Sequence, residues 1–371
     1  MKMKTFFYFL LGAVFICLPV YSFSASNVIK IGVSGPFTGD QGKFGQDQLN
    51  GVKLAVEEWN SRGGLLGKKI ELVEGDDQHD PKQAVAIAHK FVNAGVAGVL
   101  GHFNSSCSIP ASQIYYDGKV VQITHGSTNP KLTEQGFDTV FRTCGRDDQQ
   151  GKVAANFAIK TLKAKNIVIL HDKTTYGQGL ASEFKKGVEK GGIKVALYEG
   201  IVQGDKDFSS VLTKVKAKNP DLIFFGGIYV EGGLLIKQWK GLGGKAPFMG
   251  GDGILEKEMI TIGGKAAEGT YGTFGPDPLK IPAAKGFNVK YKKRFGEPGP
   301  YSVYAYEAAN VLFKGIQKAG TTDGKKVAQA IRGTEHKGAL GIIKYGNKGD
   351  VMVSPYVVWQ VKNGNWVQIT K

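Results

Sequence analysis

The sequence predicts an α/β protein of two doubly wound parallel-sheet lobes, and three observations carry that prediction. Apolar strand-like runs alternate with segments of helical three-four spacing as far as about residue 320. Two of the runs, Ile167-Val-Ile-Leu and Leu222-Ile-Phe-Phe, are apolar throughout, as strands covered on both faces are. About eight such runs precede residue 275, more than one ordinary sheet needs.

Taken in order, strands are expected at Ile29–Ser34, Ile70–Glu74, Ala97–Leu100, Val120–Thr124, Ile167–His171, Val195–Tyr198, Leu222–Gly226 and Pro247–Gly250. Helical spacing lies between them, as at Ala84, Ile87, Ala88, Phe91 and Val92, and again at Phe184 and Val188. Asp80-Pro81, Ser105 and Asp207-Phe-Ser-Ser mark helix starts. A strand that ends at Thr143-Cys-Gly145, followed by the polar run Arg146-Asp-Asp-Gln-Gln, marks the passage from one lobe to the next. The tail differs: Gly338–Tyr345 and Ser354–Thr370 read as short strands with Asn-Lys-Gly and Asn-Gly turns. No internal repeat stands out.

The amino terminus begins Met-Lys-Met-Lys, continues with an apolar run from Thr5 to Val20, and ends in small residues around Ser22–Asn27. That pattern reads as a secretory signal peptide of residues 1–26, cleaved near Ser24 or Ser26. The competing reading is a retained anchor helix, for which the run is a little short. Cys17, between Ile16 and Leu18, lacks the small neighbours of a lipid-attachment site. No other stretch is apolar and long enough to span a bilayer, so an exported, soluble protein is expected. Removing the leader leaves two cysteines, Cys107 and Cys144, whose pairing the sequence leaves open.

The formal net charge is +16 and becomes +14 once Lys2 and Lys4 leave with the leader. The lysines are dispersed along helices, as in Lys185-Lys186, Lys214-Val-Lys216 and Lys290-Tyr-Lys-Lys-Arg294. Without an aromatic platform, helix-turn-helix or zinc spacing, a solvated basic surface and no nucleic-acid partner are expected. Histidines at 79, 89, 102, 125, 171 and 336 show no metal-ligand spacing, so no metal or cofactor is expected. His102, His125 and His171 read as loop residues near strand ends. No nucleophile motif or Walker lysine is present, which argues against an enzyme. Gly177-Gln-Gly179 resembles a dinucleotide loop only weakly, because Ser182 replaces the third glycine.

Open α/β sheets bind ligands beyond the carboxyl ends of their strands. The residues there are polar and Gly-rich: Gly101-His-Phe-Asn-Ser105, His125-Gly-Ser-Thr128, Asp172-Lys-Thr-Thr-Tyr176, Gly227-Ile-Tyr229 and Gly251-Asp252-Gly. Ser105 at a helix start offers a hydroxyl and free N–H groups to an anion, or is an ordinary N-cap. Thr128 adds a second hydroxyl. Asp252 between glycines suits an ammonium group or a plain turn.

One stretch carries more information. The strand Ile29–Ser34 leads into Gly35-Pro-Phe-Thr-Gly-Asp-Gln-Gly-Lys-Phe-Gly, then Asn50-Gly-Val-Lys-Leu-Ala-Val-Glu-Glu-Trp-Asn, Arg62-Gly-Gly-Leu-Leu-Gly and Gly75-Asp-Asp-Gln-His-Asp-Pro-Lys-Gln-Ala. These runs resemble the leucine/isoleucine/valine-binding proteins, the periplasmic receptors of ABC amino-acid importers, and the likeness covers nearly the whole mature chain. The resemblance implies a type I periplasmic binding fold whose two lobes are joined by a three-crossover hinge. Further crossovers would fall near Gly272–Gly275 and Ser354. Lobe 1 would then be residues 27–145 plus 275–353, with Tyr301–Ala319 returning to it, and lobe 2 residues 146–274 plus 354–371.

It also implies a site. Ser105, Gly126 and Thr128 match positions that hold a ligand's α-carboxylate and part of its ammonium. Tyr176 matches a contact from the second lobe and Asp252 the ammonium partner. Phe44, Phe103 and Tyr301 match an apolar wall; the competing account is simple core packing, especially for Phe44 on the face of the first helix. Two departures stand out: Asp252 replaces the usual Glu, and Ile228, with Tyr229 beside it, replaces a frequent Tyr. A cysteine pair frequent in relatives is absent, its places held by His79 and Asn104. The implied protein is a monomeric periplasmic receptor that captures a branched-chain α-amino acid and delivers it to an ABC transporter membrane permease. The alternative is a receptor-type sensor of a small amide or carboxylate.

Overall fold

The structure is a computed structural model that describes Met1 and residues 27–370; the expected leader and its cleavage site lie outside the described residues. The first sheet is built from β1 (Val28–Gly35), β2 (Lys69–Asp76), β3 (Gly98–Leu100), β4 (Val121–Thr124) and β5 (Val140–Arg142). Helices α1 (Gly42–Ser61), α2 (Pro81–Asn93), α3 (Ser105–Asp117) and α4 (Lys131–Glu134) connect them. All five strands are parallel, in the order β2-β1-β3-β4-β5. The Asp80 carboxylate caps α2 by accepting from the N–H groups of Lys82 and Gln83, with Pro81 at the first helical position, as Asp-Pro foretold.

The second sheet begins after α5 (Asp147–Lys160) and contains β6 (Ile167–His171), β7 (Val195–Gly200), β8 (Leu222–Gly226), β9 (Phe248–Gly250) and β10 (Tyr271–Phe274). Helices α6 (Thr175–Lys190), α7 (Ser209–Ala217), α8 (Tyr229–Gly241) and α9 (Lys257–Gly263) cover it. These five strands are also parallel, in the order β7-β6-β8-β9-β10, which repeats the order of the first sheet. The repeat is topological; it leaves no trace in residue identity, because strand order depends on crossover hand and packing rather than particular side chains. Every residue of β6 and β8 is buried, in keeping with their unbroken apolar runs.

The chain then passes through α10 (Lys285–Phe295) to α11 (Ser302–Ala319) and α12 (Gly324–Arg332), and α11 lies against the first sheet. Leu312 of α11 fits over Gly98, where a Cβ would come within 2.7 Å of its Cδ1. A hairpin of β11 (His336–Gly338) and β12 (Gly341–Ile343) follows. The last hairpin, β13 (Val357–Lys362) with β14 (Asn365–Gln368), adds to the second sheet antiparallel to β10. Its Asn363-Gly364 turn has positive φ at both residues, 52° and 70°, as a tight hairpin turn requires.

Three crossovers run side by side between the lobes. The Thr143 hydroxyl donates to the Tyr304 carbonyl at 3.0 Å, and the Trp359 indole donates to the Gly275 carbonyl at 3.1 Å. Asp350 joins two of them, pairing with Arg142 and Arg146, each at 2.8 Å. Gly145 has to be glycine, since a Cβ there would lie 2.4 Å from the Tyr356 ring.

Some expectations change. Gly177 and Gly179, whose dinucleotide-loop likeness is weak in the sequence, lie in the first turns of α6; Gly177 packs on the Gly226 carbonyl, 2.4 Å from where its Cβ would be. Ser105 is the first residue of α3, and Asn104, not Ser105, holds the cap position. Gly272 belongs to β10, where the Leu255 side chain closes over it and leaves no room for a Cβ, and the chain leaves that strand at Gly275. Cys107 and Cys144 are both buried and unpaired. The basic cluster on α10 is partly neutralised by α1, with Lys290 on Glu58 at 2.8 Å and Arg294 on Glu57 at 3.2 Å. Among the described residues, no helix is long and apolar enough to cross a membrane. No group of three or more His, Cys, Asp or Glu among them is placed to hold a metal.

Candidate functional site

The carboxyl ends of the two sheets lead into loops that meet across a closed cleft. From the first lobe come the turn before α1, the loops after β3 and β4, and the start of α11. From the second come the loops after β6, β8 and β9. Side-chain hydrogen bonds cross between them. Tyr229 Oη donates to the Asp40 carbonyl at 2.6 Å, Asn129 Nδ2 donates to the Thr175 carbonyl at 2.8 Å, and Tyr301 Oη donates to Asp252 Oδ2 at 2.8 Å.

An aromatic cluster forms one wall. Phe44 stacks on Phe103 with centroids 4.7 Å apart, and Tyr301 meets Phe103 edge-on at 4.9 Å. Tyr229 approaches Phe44 from the second lobe, also edge-on at 4.9 Å. These offset and edge-on contacts are the arrangements aromatic quadrupoles favour. Gly126 makes room for the stack: a Cβ there would sit 2.5 Å from the Phe103 ring. His125 lies beside Phe103 at 5.6 Å, and complete burial pushes its pKa down to about 3, so the ring is neutral.

The polar side of the cleft is built from helix starts and a short turn. Ser105, 1% exposed, accepts from the Asn129 N–H at 3.3 Å, and Thr128 is buried with its Oγ1 lacking a partner. Asp252 opens a short turn after β9 and accepts from two tyrosines, Tyr176 Oη at 2.7 Å and Tyr301 Oη at 2.8 Å. Tyr176 Oη in turn accepts from the Gly253 N–H at 2.9 Å. Burial pushes the Asp252 carboxyl upward; the hydroxyls of Tyr176 and Tyr301 and the Gln150 amide hold it down in part. The structure thus brings Phe44, Phe103, Ser105, Gly126, Thr128, Tyr176, Tyr229, Asp252 and Tyr301 to one cleft.

Reading the sequence missed Asp147. It opens α5 at the first crossover, is fully buried, and neither of its carboxylate oxygens has a hydrogen-bond partner. Burial first, and then the charge of Asp252, pushes its pKa well up; the nearby Thr128 hydroxyl, out of hydrogen-bond geometry with it, and the charge of Arg142 relieve it in part. Gln150, one turn along α5, leaves its Oε1 unpaired as well. Both stand in Arg146-Asp-Asp-Gln-Gln, where acids read simply as a favourable first helical turn. Buried unpaired acceptors are costly, and together they ask for a donor-rich, positively charged group.

The strand-end histidines separate. His102 is buried beneath the cleft, Nδ1 2.6 Å from Asp77 and Nε2 3.0 Å from Tyr115, and holds the first lobe together. His171 rests on Tyr198 at 4.9 Å. Of the three, His125 adjoins the aromatic cluster.

Two lobes of identical strand order that clasp a small buried site between their strand ends define a ligand-capturing receptor of the periplasmic binding class. The chain belongs to the periplasmic binding protein family, whose sequence profile matches residues 28–365. It is 44% identical over 337 residues to the Leu/Ile/Val-binding protein homolog 2 of Brucella abortus (strain 2308), covering 91% of each chain. Its structure resembles a leucine binding protein, LivK, of Thermotoga maritima with a TM-score of 0.88 and 35% identity, over 92% of this chain and 98% of that one. It also resembles the branched-chain amino acid transporter substrate binding protein LivJ of Streptococcus pneumoniae in complex with isoleucine. There the TM-score is 0.84 and the identity 26%, over 92% of this chain and all of that one.

Proposed function

We propose that the protein is the substrate-binding component of an ABC importer, which captures a branched-chain α-amino acid in the periplasm and presents it to a membrane permease. One observation carries this reading: a closed cleft sets two buried carboxylates, Asp252 and Asp147, in one site with the hydroxyls of Ser105 and Thr128 and a wall of Phe44, Phe103, Tyr229 and Tyr301. A zwitterion with an apolar side chain meets each of those surfaces. Its carboxylate takes Ser105, Thr128 and the free N–H groups at the start of α3; its ammonium takes Asp252 and Asp147; its side chain takes the aromatic wall.

On this reading, lobe 1 is residues 27–145 plus 275–353 and lobe 2 is residues 146–274 plus 354–371. The leader is removed near Ser24 or Ser26, the mature protein works as a monomer, and the ligand leaves unchanged. A small carboxylate without an ammonium fits poorly, because it would set a third negative charge before two buried acids that have no cation between them. The test is a thermal-shift screen against all amino acids and common carboxylates. A ligand at about 100 times its Kd adds roughly 2.7 kcal/mol, a clear rise in melting temperature. Leucine, isoleucine or valine should give the largest shift; a shift with carboxylates alone would overturn the reading.

A further inference from the structure

Away from the ligand site, a second ionic cluster bridges the lobes. Asp47, on α1 of the first lobe, is 1% exposed, and its Oδ1 takes an ion pair from Lys43 at 2.9 Å while its Oδ2 has no partner. The backbone of Gly299 presses on it, since a Cβ there would fall 1.4 Å from Oδ2. From the second lobe, Glu256 precedes α9, is 3% exposed, and accepts from the Lys257 N–H at 3.0 Å through Oε1, leaving Oε2 unpaired. Glu258 lies against Glu256, within reach of a hydrogen bond once Glu256 is protonated, and its own Oε2 is unpaired.

Lys43 pairs with Asp47 and also feels the charges of Glu256 and Glu258 from the second lobe, while Gly299, which presses on Asp47, lines one cavity with Glu256. The other groups around them are Tyr229 from α8, Tyr291 from α10, and Asp40 in the turn before α1. Lys257, Asp277 and Glu297 line a cavity of about 230 Å³ that adjoins Glu256. None of these supplies a second cation to the buried carboxylates.

We propose that Asp47 and Glu256 form a proton-dependent latch between the lobes: closure brings them together out of water, takes up a proton, and tightens the grip on ligand as pH falls. Burial, the charge of Asp47 and the hydrogen bond with Glu258 push Glu256 up to about 9; burial and the charge of Glu258, against the opposing pull of Lys43, push Asp47 up to about 6, above the ordinary 4.5 and 3.8. Burial works against the charge on Lys43, but the surrounding carboxylates hold its pKa above the ordinary value, so it stays charged. When the lobes part, water re-enters and both acids return toward ordinary values. The closed state binds more protons, so closure is favoured at low pH, and the benefit is lost as pH rises through the closed-state values.

The experiment compares wild type with Glu256→Gln and Asp47→Asn. The probe is L-leucine, and calorimetry at pH 7.5 in two buffers of different ionisation enthalpy reads proton uptake. Asp252 and Asp147 contribute equally to all three proteins, so the difference between them is the readout. Wild type should take up about one proton more than Glu256→Gln. Between pH 6 and 8 its Kd should also worsen more steeply, by up to about tenfold more per pH unit than that of Glu256→Gln. Equal uptake and parallel pH profiles overturn the latch. The use of leucine rests on the amino-acid reading above, so a second arm needs no ligand. Scattering from the ligand-free protein should show a smaller radius at pH 5.5 than at pH 8.5 in wild type, and a weaker change in both substituted proteins. If leucine does not bind, the amino-acid reading fails and the scattering arm decides the latch; the same radius change in all three proteins overturns it.

Discussion

Asp252 binds in two directions at once. It accepts from Tyr176 of its own lobe and from Tyr301 of the other, and it is the proposed partner of a ligand ammonium. Deleting one partner of a buried charge pair costs about 3–5 kcal/mol. Asp252→Ala should therefore weaken binding of leucine by two to three orders of magnitude, read by calorimetry. A few-fold change would place the ammonium elsewhere. Asp147→Asn should also weaken binding, with no loss of fold, because an amide leaves one acceptor but no charge. The difference between these two residues shows what a sequence displays. Asp252 sits between glycines directly after a strand, where a chemist looks. Asp147 looks like an ordinary helix-start acid, and its isolation exists only once the two lobes and three crossovers surround it.

Asp172 offers a test that needs no ligand. It follows β6, donors from Thr174 meet its Oδ1, and its Oδ2 is unpaired. Burial pushes its pKa up to about 7 from 3.8, with smaller opposing help from Thr174. The folded protein thus holds a proton the unfolded chain releases, and stability falls as pH rises from about 4 to about 7. Asp172→Asn removes the ionisation. In urea unfolding its stability should exceed wild type at pH 8 and match it near pH 3.5; equal curves at both values would mean the site is wet.

At the scale of elements, α1 and α11 set the first lobe's half of the cleft: α1 carries Phe44, and Tyr301 stands at the start of α11. They cross at Gly51, where a Cβ would lie 2.4 Å from the Ser302 carbonyl oxygen. Gly51→Ala forces the helices apart, costs about 1–3 kcal/mol in urea unfolding, and loosens ligand binding with it. Unchanged stability would mean the crossing yields without strain. The strands were legible because buried parallel strands are unbroken apolar runs; β6 and β8 fall where the runs fall. Glycines were harder to read. Glycine can open a turn, accept a close neighbour or end a helix, and only the neighbour decides. Hence the weak dinucleotide-loop likeness of Gly177 and Gly179 gives way to packing inside α6, and Gly272 pairs in β10 just before the chain leaves that strand at Gly275.

For the molecule as a whole, hinge motion at the three crossovers is the expected motion. Here the lobes touch through Tyr229, Asn129 and Tyr301, so the described form is the closed one. Without ligand, the unpaired acceptors of Asp147 and Asp252's charge oppose that closure. Small-angle scattering should therefore show a smaller radius on saturation with ligand, and an unchanged radius would exclude closure as the capture step. The strand order of the two sheets was not legible in residues, but the passage at Thr143–Gly145 was, because a strand end, a glycine and a polar helix start coincide there.

The central claim is that one closed cleft recognises the carboxylate, the ammonium and the apolar side chain of the same small molecule. Calorimetry with three compounds tests it most directly: L-leucine, 4-methylpentanoate without the ammonium, and leucinamide without the carboxylate. Leucine should bind tightly and each analogue at least about a hundredfold more weakly, since each strands a buried group of the site. If 4-methylpentanoate binds as well as leucine, Asp252 and Asp147 do not serve an ammonium and the account is wrong.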